Sequence, residues 1–209
     1  MPRFYLDIET APLEWSPQNP NDTSTIADPD KNKIITIQFQ KLAFDTGKPI
    51  GELQILKEWE SSEEEIVNTF LHNNFLPVDE VHEKPNIWYF VPVGNNLDFE
   101  WQHLTPKFEK YCGIKFNPYL KPTIDIKSIL ITINGGAFTG SHHLVGKSGK
   151  AKDMAMWYHT EDYSSILDYI VEETEMFLDG YQTICQELPL LKKTLEKQGE
   201  TPTGLDDLR

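Results

Sequence analysis

A mixed α/β fold, in which an antiparallel meander is followed by parallel strands and helices flank the sheet, is predicted by three features of the sequence. Strand patterns cluster early and helical ones late, a nearly continuous apolar run (Asn86 to Val93) lies between them, and a long amphipathic helix comes last. The first strand covers Arg3 to Ile8 and the second Lys33 to Phe44, which is rich in Ile, Thr and Phe. A loop rich in Pro, Asn and Asp, holding Pro17, Pro20 and Pro29, joins them. The Asp45-Thr-Gly-Lys-Pro turn leads to a third strand near Glu52 to Lys57. A helix is expected from Ser61 or Ser62, with Glu65 completing a capping box and Ile66, Val67, Phe70 and Leu71 forming its apolar face. The run from Asn86 to Val93 reads as a strand buried on both faces. A helix after Asn96, a segment from Thr123 to Ile133, a Gly-rich loop and the last helix follow.

With 209 residues, of which 39% are hydrophobic and 25% charged, the chain has the size and composition of one globular domain. That domain is expected over residues 1–198, with 199–209 a loose tail. No stretch approaches the roughly 18 apolar residues of a membrane span, so a membrane partner is excluded. Cys112 and Cys185 form no CxxC pair, which leaves neither a disulfide partner nor a thiolate zinc site expected. The opening residues lack an apolar signal core, and a cytoplasmic protein is the expectation. The oligomeric state is left open.

The net charge of −14 argues by itself against a nucleic-acid partner. It is unevenly spread. Between Lys107 and Lys152, eight lysines stand against only Glu109 and Asp125, a surplus that could hold a polyanion on one face or be ordinary solvated lysine.

Three carboxylate groupings stand out. Asp7-Ile8-Glu9 sends two acids to the same face of an apolar strand, where something cationic should sit between them; oxygen-preferring Mg²⁺ or Mn²⁺ fits, as does a simply wet edge. Asn96-Leu97-Asp98-Phe99-Glu100 follows the buried strand where ligand groups gather in α/β folds, although Asn96 as a helix cap with acids in the first turn accounts for much of it. On the last helix, at about 100° per residue, Glu173 falls inside the apolar arc of Ile166, Tyr169, Ile170 and Phe177, while Asp168, Glu172, Glu175 and Asp179 gather on the opposite side. Tyr169 shares the stripe of Glu173, four residues before it.

These residues together resemble the DEDD-type 3'-5' exonucleases of the ribonuclease-H-like superfamily, in the tyrosine-bearing branch. The chain resembles the stand-alone archaeal exonuclease domains related to family B polymerases more than any polymerase-fused one. Asp7-Ile-Glu9 resembles the first motif, Asn96-Leu97-Asp98-Phe99-Glu100 the second, and Tyr169-Ile-Val-Glu-Glu173 the third. The resemblance implies a ribonuclease-H-like fold and two-metal hydrolysis of single-stranded DNA or RNA. Two Mg²⁺ or Mn²⁺ ions would be held by Asp7, Glu9, Glu100 and Glu173, with Tyr169 orienting the attacking water. It further implies that Asn96 and the cluster Lys147, Lys150 and Lys152 meet the nucleic acid, with Trp101 or Trp157 available for stacking.

Glu100 and Glu173 stand where the family has Asp, and each extends its carboxylate by about 1.5 Å. A domain that keeps the fold and binds nucleic acid or protein without cutting is therefore an alternative, and an internally cutting ribonuclease-H-like enzyme is a third. Asp98, and a second Tyr-x-x-x-Asp at Tyr158 and Asp162, are the runner-up site residues.

Overall fold

The computed structural model describes residues 1–18, 24–79, 84–137 and 150–199. Strands β1 (Arg3–Pro12), β2 (Asn32–Leu42) and β3 (Pro49–Lys57) form an antiparallel meander. Helix α1 (Glu63–Thr69) runs into a π-turn at Phe70–Phe75, and β4 (Val78–Asp79) pairs with β5 (Lys84–Pro85) as a small separate ribbon. Strand β6 (Val91–Gly94) lies parallel to β1, helix α2 (Leu97–Cys112) follows, and β7 (Ile124–Asp125) lies parallel to β6. Helices α3 (Lys127–Ile133), α4 (Met154–His159) and α5 (Tyr163–Gly199) complete the described chain. The result is a mixed five-stranded sheet in the order β3-β2-β1-β6-β7 with helices on both faces.

The alternation of side chains along β1 decides what each face holds. Leu6 and Ile8 pack under α1 and α2 with Val67, Phe70, Leu104 and Phe108, while Tyr5 and Ala11 face α5. Asp7 and Glu9 therefore point to the α5 side. The ladder with β2 shifts register between Glu9 and Thr10 and leaves Ile35 without a partner on β1. At such a bulge two consecutive residues share a face: Ile35, packed with Tyr169 and Ile170, and Thr36, bonded to Gln38, both lie on the α5 side, with Ile34 and Ile37 on the α2 side.

Helix α1 starts as its capping box requires, with the Ser62 hydroxyl accepting from the Glu65 amide at 3.1 Å. Three expectations are corrected. The apolar run is a strand only from Val91: the Asn86 side chain accepts from the Trp88 amide in a tight turn, and Ile87, Trp88 and Tyr89 are exposed. The lysine-rich stretch is not one surface. Lys107 is buried against Glu63 at 2.9 Å, and Lys121 is buried with its ammonium on the carbonyls of Phe75 and Ile87. Trp101 is core, packed on Phe75 and Phe116, and offers no stacking surface.

The Glu63–Lys107 pair ties three elements together. Glu63 also accepts from the Ile34 amide at 2.8 Å and the Tyr111 hydroxyl at 2.6 Å, so its carboxylate is fully engaged inside the α1–α2–β2 junction. Removing Lys107 leaves that charge buried. Lys107→Met is expected to cost about 3–5 kcal/mol in urea unfolding, whereas the double change Glu63→Gln with Lys107→Met recovers part of the loss.

Candidate metal centre

Four elements converge on one cleft. β1 supplies Asp7, Glu9 and Thr10, the start of α2 supplies Asn95, Asn96, Phe99 and Glu100, α4 supplies Met154, and α5 supplies Tyr169 and Glu173, around about 180 Å³ of space. Carboxylate oxygens of Asp7, Glu9 and Glu173 lie within 4.8 Å of one another. Glu173 and Glu100 are each only 3% exposed. The helical wheel thus placed Glu173 correctly, and Asp168, Glu172, Glu175 and Asp179 are exposed as expected.

Hydrogen bonds hold Asp7 from the sheet side. The Tyr5 hydroxyl donates to Asp7 Oδ2 at 3.2 Å and the Gln38 amide donates to the same oxygen at 3.3 Å, while Gln38 itself accepts from the Thr36 hydroxyl at 2.9 Å. Tyr5, Thr36 and Gln38 were not singled out in the sequence. The alternation of Thr36, Gln38 and Gln40 with Ile37 and Phe39 was the available signal, because three polar residues on one face of a buried strand need a reason to be there.

Glu100 is positioned by a residue on another strand. Asp125, at the end of β7, accepts from the amides of Asn96 (2.9 Å), Leu97 (2.8 Å) and Lys127 (2.9 Å). It therefore caps α2 from outside, and Asn96 does not act as the side-chain cap the sequence suggested: its backbone is left-handed at φ 72° and its side-chain oxygen accepts from the Lys127 ammonium. Gly94 permits this tight exit, since a Cβ there would lie 2.6 Å from the Leu97 side chain and 3.0 Å from the Leu6 carbonyl oxygen. One turn later Glu100 benefits from the positive end of the helix.

The runner-up residues lie elsewhere. Asp98 is exposed beside a surface depression lined by Trp101 and Tyr119. The Tyr158 hydroxyl donates to Glu58 at 2.6 Å, and the Asp162 carboxylate caps the start of α5, accepting from the Ser165 amide and from the Ser164 and Ser165 hydroxyls. Trp157 packs on Tyr169 with ring centroids 6.0 Å apart. Lys152 is exposed and Lys150 opens a short 3-10 turn, Lys150–Asp153, whereas Lys147 and the Gly-rich loop lie outside the described residues.

Burial, followed by the charges of Glu9 and Glu173, drives the Tyr169 hydroxyl far above its ordinary pKa, and burial with Asp7 does the same to Tyr5. Both phenols stay protonated next to the carboxylates. All oxygen donors here are anionic or neutral hard ligands, the chemistry that suits Mg²⁺ or Mn²⁺ and not a soft metal.

No protein-family model matches the chain, and no curated protein matches it. Solved structures of Exonuclease I are weakly similar to it. Exonuclease I in its apo form has a TM-score of 0.35 and 11% identity, covering 71% of this chain and 32% of that one. E. coli Exonuclease I in complex with a dT13 oligonucleotide has a TM-score of 0.34 and 11% identity, covering 66% and 31%. This chain thus spans about a third of the length of those proteins. Similarity at that level carries no inference about activity. Among the described residues no helix is long and apolar enough to cross a membrane, and Cys112 and Cys185 are free thiols.

Three outcomes are expected. Asp125→Ala should cost about 1–2 kcal/mol through the lost cap, read as a lower melting temperature. Glu173→Gln should raise the melting temperature in the presence of a chelator, because it removes one of several crowded like charges. Burial and the Glu58 bond push Tyr158 up to about 12, and burial with Cys185 pushes Tyr181 up to about 12. A folded-state pKa above the unfolded value near 10 means the folded protein holds these protons more tightly. Their stabilisation is complete below about pH 10 and is lost as pH rises through the folded values. Alkaline titration should therefore show tyrosinate absorbance from these residues appearing together with unfolding.

Proposed function

We propose that this protein is a divalent-metal-dependent 3'-5' exonuclease acting on single-stranded DNA or RNA, in the tyrosine-bearing DEDD branch of the ribonuclease-H-like enzymes. The convergence of the Asp7, Glu9 and Glu173 carboxylates within 4.8 Å, in a cleft that Glu100 and Tyr169 also line, carries this reading. The sheet order, three antiparallel strands and then two parallel ones beyond β1, is consistent with a ribonuclease-H-like architecture. The glutamates at 100 and 173 do not prevent the grouping, since both longer side chains reach the cleft.

Asp7, Glu9 and Glu173 would hold the ions, with Glu100 completing the ligand set. Bound Mg²⁺ or Mn²⁺ would supply Lewis-acid chemistry, generating hydroxide and neutralising charge on the scissile phosphate. That neutralisation also answers an electrostatic objection: an acidic cleft on a chain of net charge −14 repels a polyanion until cations fill it. Tyr169, held protonated by its neighbours, would donate its hydroxyl hydrogen bond to orient the attacking water. Asp7 would keep its orientation through Tyr5 and Gln38. Asn96, which lines the same cleft, would meet the bound strand.

The test is a 5'-labelled single-stranded oligonucleotide incubated with purified protein and Mn²⁺. Stepwise shortening from the 3' end is expected, with a loss of at least about 100-fold in Asp7→Ala and with a closed circular strand left intact. Tyr169→Phe should slow cleavage while leaving Mn²⁺ affinity unchanged. Retention of the strand without shortening would favour a non-cleaving binding domain, and cutting of the circle an internal nuclease.

A further inference from the structure

The last helix outruns the body it packs on. From residue 186 to residue 197 every position is exposed, including Leu188 (42%), Leu191 (52%) and Leu195 (57%). These leucines continue, at alternating spacings of four and three, the stripe of Phe177, Tyr181 and Ile184 that is buried with Tyr5, Leu42 and Val93. At about 100° per residue all six fall within an arc of about 80°. The apolar line that seats α5 on the sheet thus runs on uncovered by any described residue. A projecting helical segment of about a dozen residues, interrupted by Pro189, is marginal in water without packing.

Charge distinguishes the partner. Residues 186–199 hold Lys192, Lys193 and Lys197 against Glu187 and Glu196, a net of one positive charge, so the rest of the chain carries fifteen negative. Two such projections meet without the repulsion that separates the acidic bodies, and the lysines of each complement the acidic body of another copy.

We propose that the projecting part of α5 pairs antiparallel with the same segment of a second copy of this chain. The free stripe faces the side on which the helix's own body lies. A parallel partner would drive its body into that same volume, whereas an antiparallel one carries its body beyond the tip. The antiparallel pair also holds the two acidic bodies at opposite ends and lays each lysine-bearing tip toward the partner's body. Lys192 sits 3.6 Å from Glu196 on its own helix, which leaves the leucine stripe clear. The contact is two-fold and self-complementary. Three leucines from each copy cover less than the roughly 1,200–2,000 Å² of a stable interface, so the dimer is weak and reversible.

Sedimentation velocity on the full chain over a concentration series is expected to show a monomer–dimer equilibrium, and small-angle scattering an elongated dimer close to twice the monomer's length. Leu191→Lys combined with Leu195→Lys should raise the dissociation constant at least about tenfold while leaving the monomer's melting temperature unchanged. A protein monomeric up to about 1 mM, a dimer indifferent to the double change, or a compact dimer with its bodies side by side would each overturn the proposal.

Discussion

Like charges held together against their repulsion are what the rest of this structure serves. Carboxylates from β1, α2 and α5 share one small cleft, and at separations of a few ångströms inside a protein each pair repels by several kcal/mol. Only rigid supports keep such groups in place. Each acid has a support of its own: Asp7 takes donors from Tyr5 and Gln38, Glu100 rides on a helix capped by Asp125, and Glu173 is carried by a helix whose neighbouring stripe residues Ile166, Ile170 and Phe177 are buried on the sheet. These supports come from different parts of the core, so loosening one leaves the others standing.

Much of this was legible because periodicity is local. A period of two puts Asp7 and Glu9 on one side of β1, a period of 3.6 singles out Glu173 among the five acids from Asp168 to Asp179, and a Ser followed by Glu three residues later marks the start of α1. What the sequence concealed depends on partners far away in the chain. Asp125 in Ile-Asp-Ile-Lys reads as an ordinary alternating segment, and only the parallel pairing of β7 with β6 brings it to the amides of Asn96 and Leu97. Lys107 sat in a lysine-rich stretch and was read as surface. Its place on α2 between Leu104 and Phe108 was the local sign that it turns inward, and Glu63, 44 residues away, is what makes that burial tolerable. The aromatic run before Val91 misled for the opposite reason: a single Asn-initiated turn overrides the strand preference of Ile87, Trp88 and Tyr89.

The two faces of the sheet also divide the labour. The side covered by α1 and α2 is built on Phe70, Phe75, Phe90 and Phe108 packed ring against ring, with the Glu63–Lys107 pair satisfied at its β2 end. The side covered by α5 accepts polar groups, Thr36, Gln38 and Glu173 among them, within a shell of Tyr5, Phe177 and Tyr181. The hydrophobic layer supplies the cohesion that permits a polar layer behind it.

The spare residue in β2, Ile35, works as a pawl. With the bulge in place, Gln38 stands opposite Asp7; were Ile35 paired with Glu9 in a regular ladder instead, every later pair would move by one step, turning Gln38 toward the phenylalanine layer and Ile37 toward the acids. Changes of chain length can be absorbed in the connections before β2 and after it, at residues 13–18, 24–31 and 43–48, because those segments lie outside the ladder. Loss of the codon for Ile35 itself would only straighten the strand, since Thr10 would still face Ile34 and Glu9 would still face Thr36.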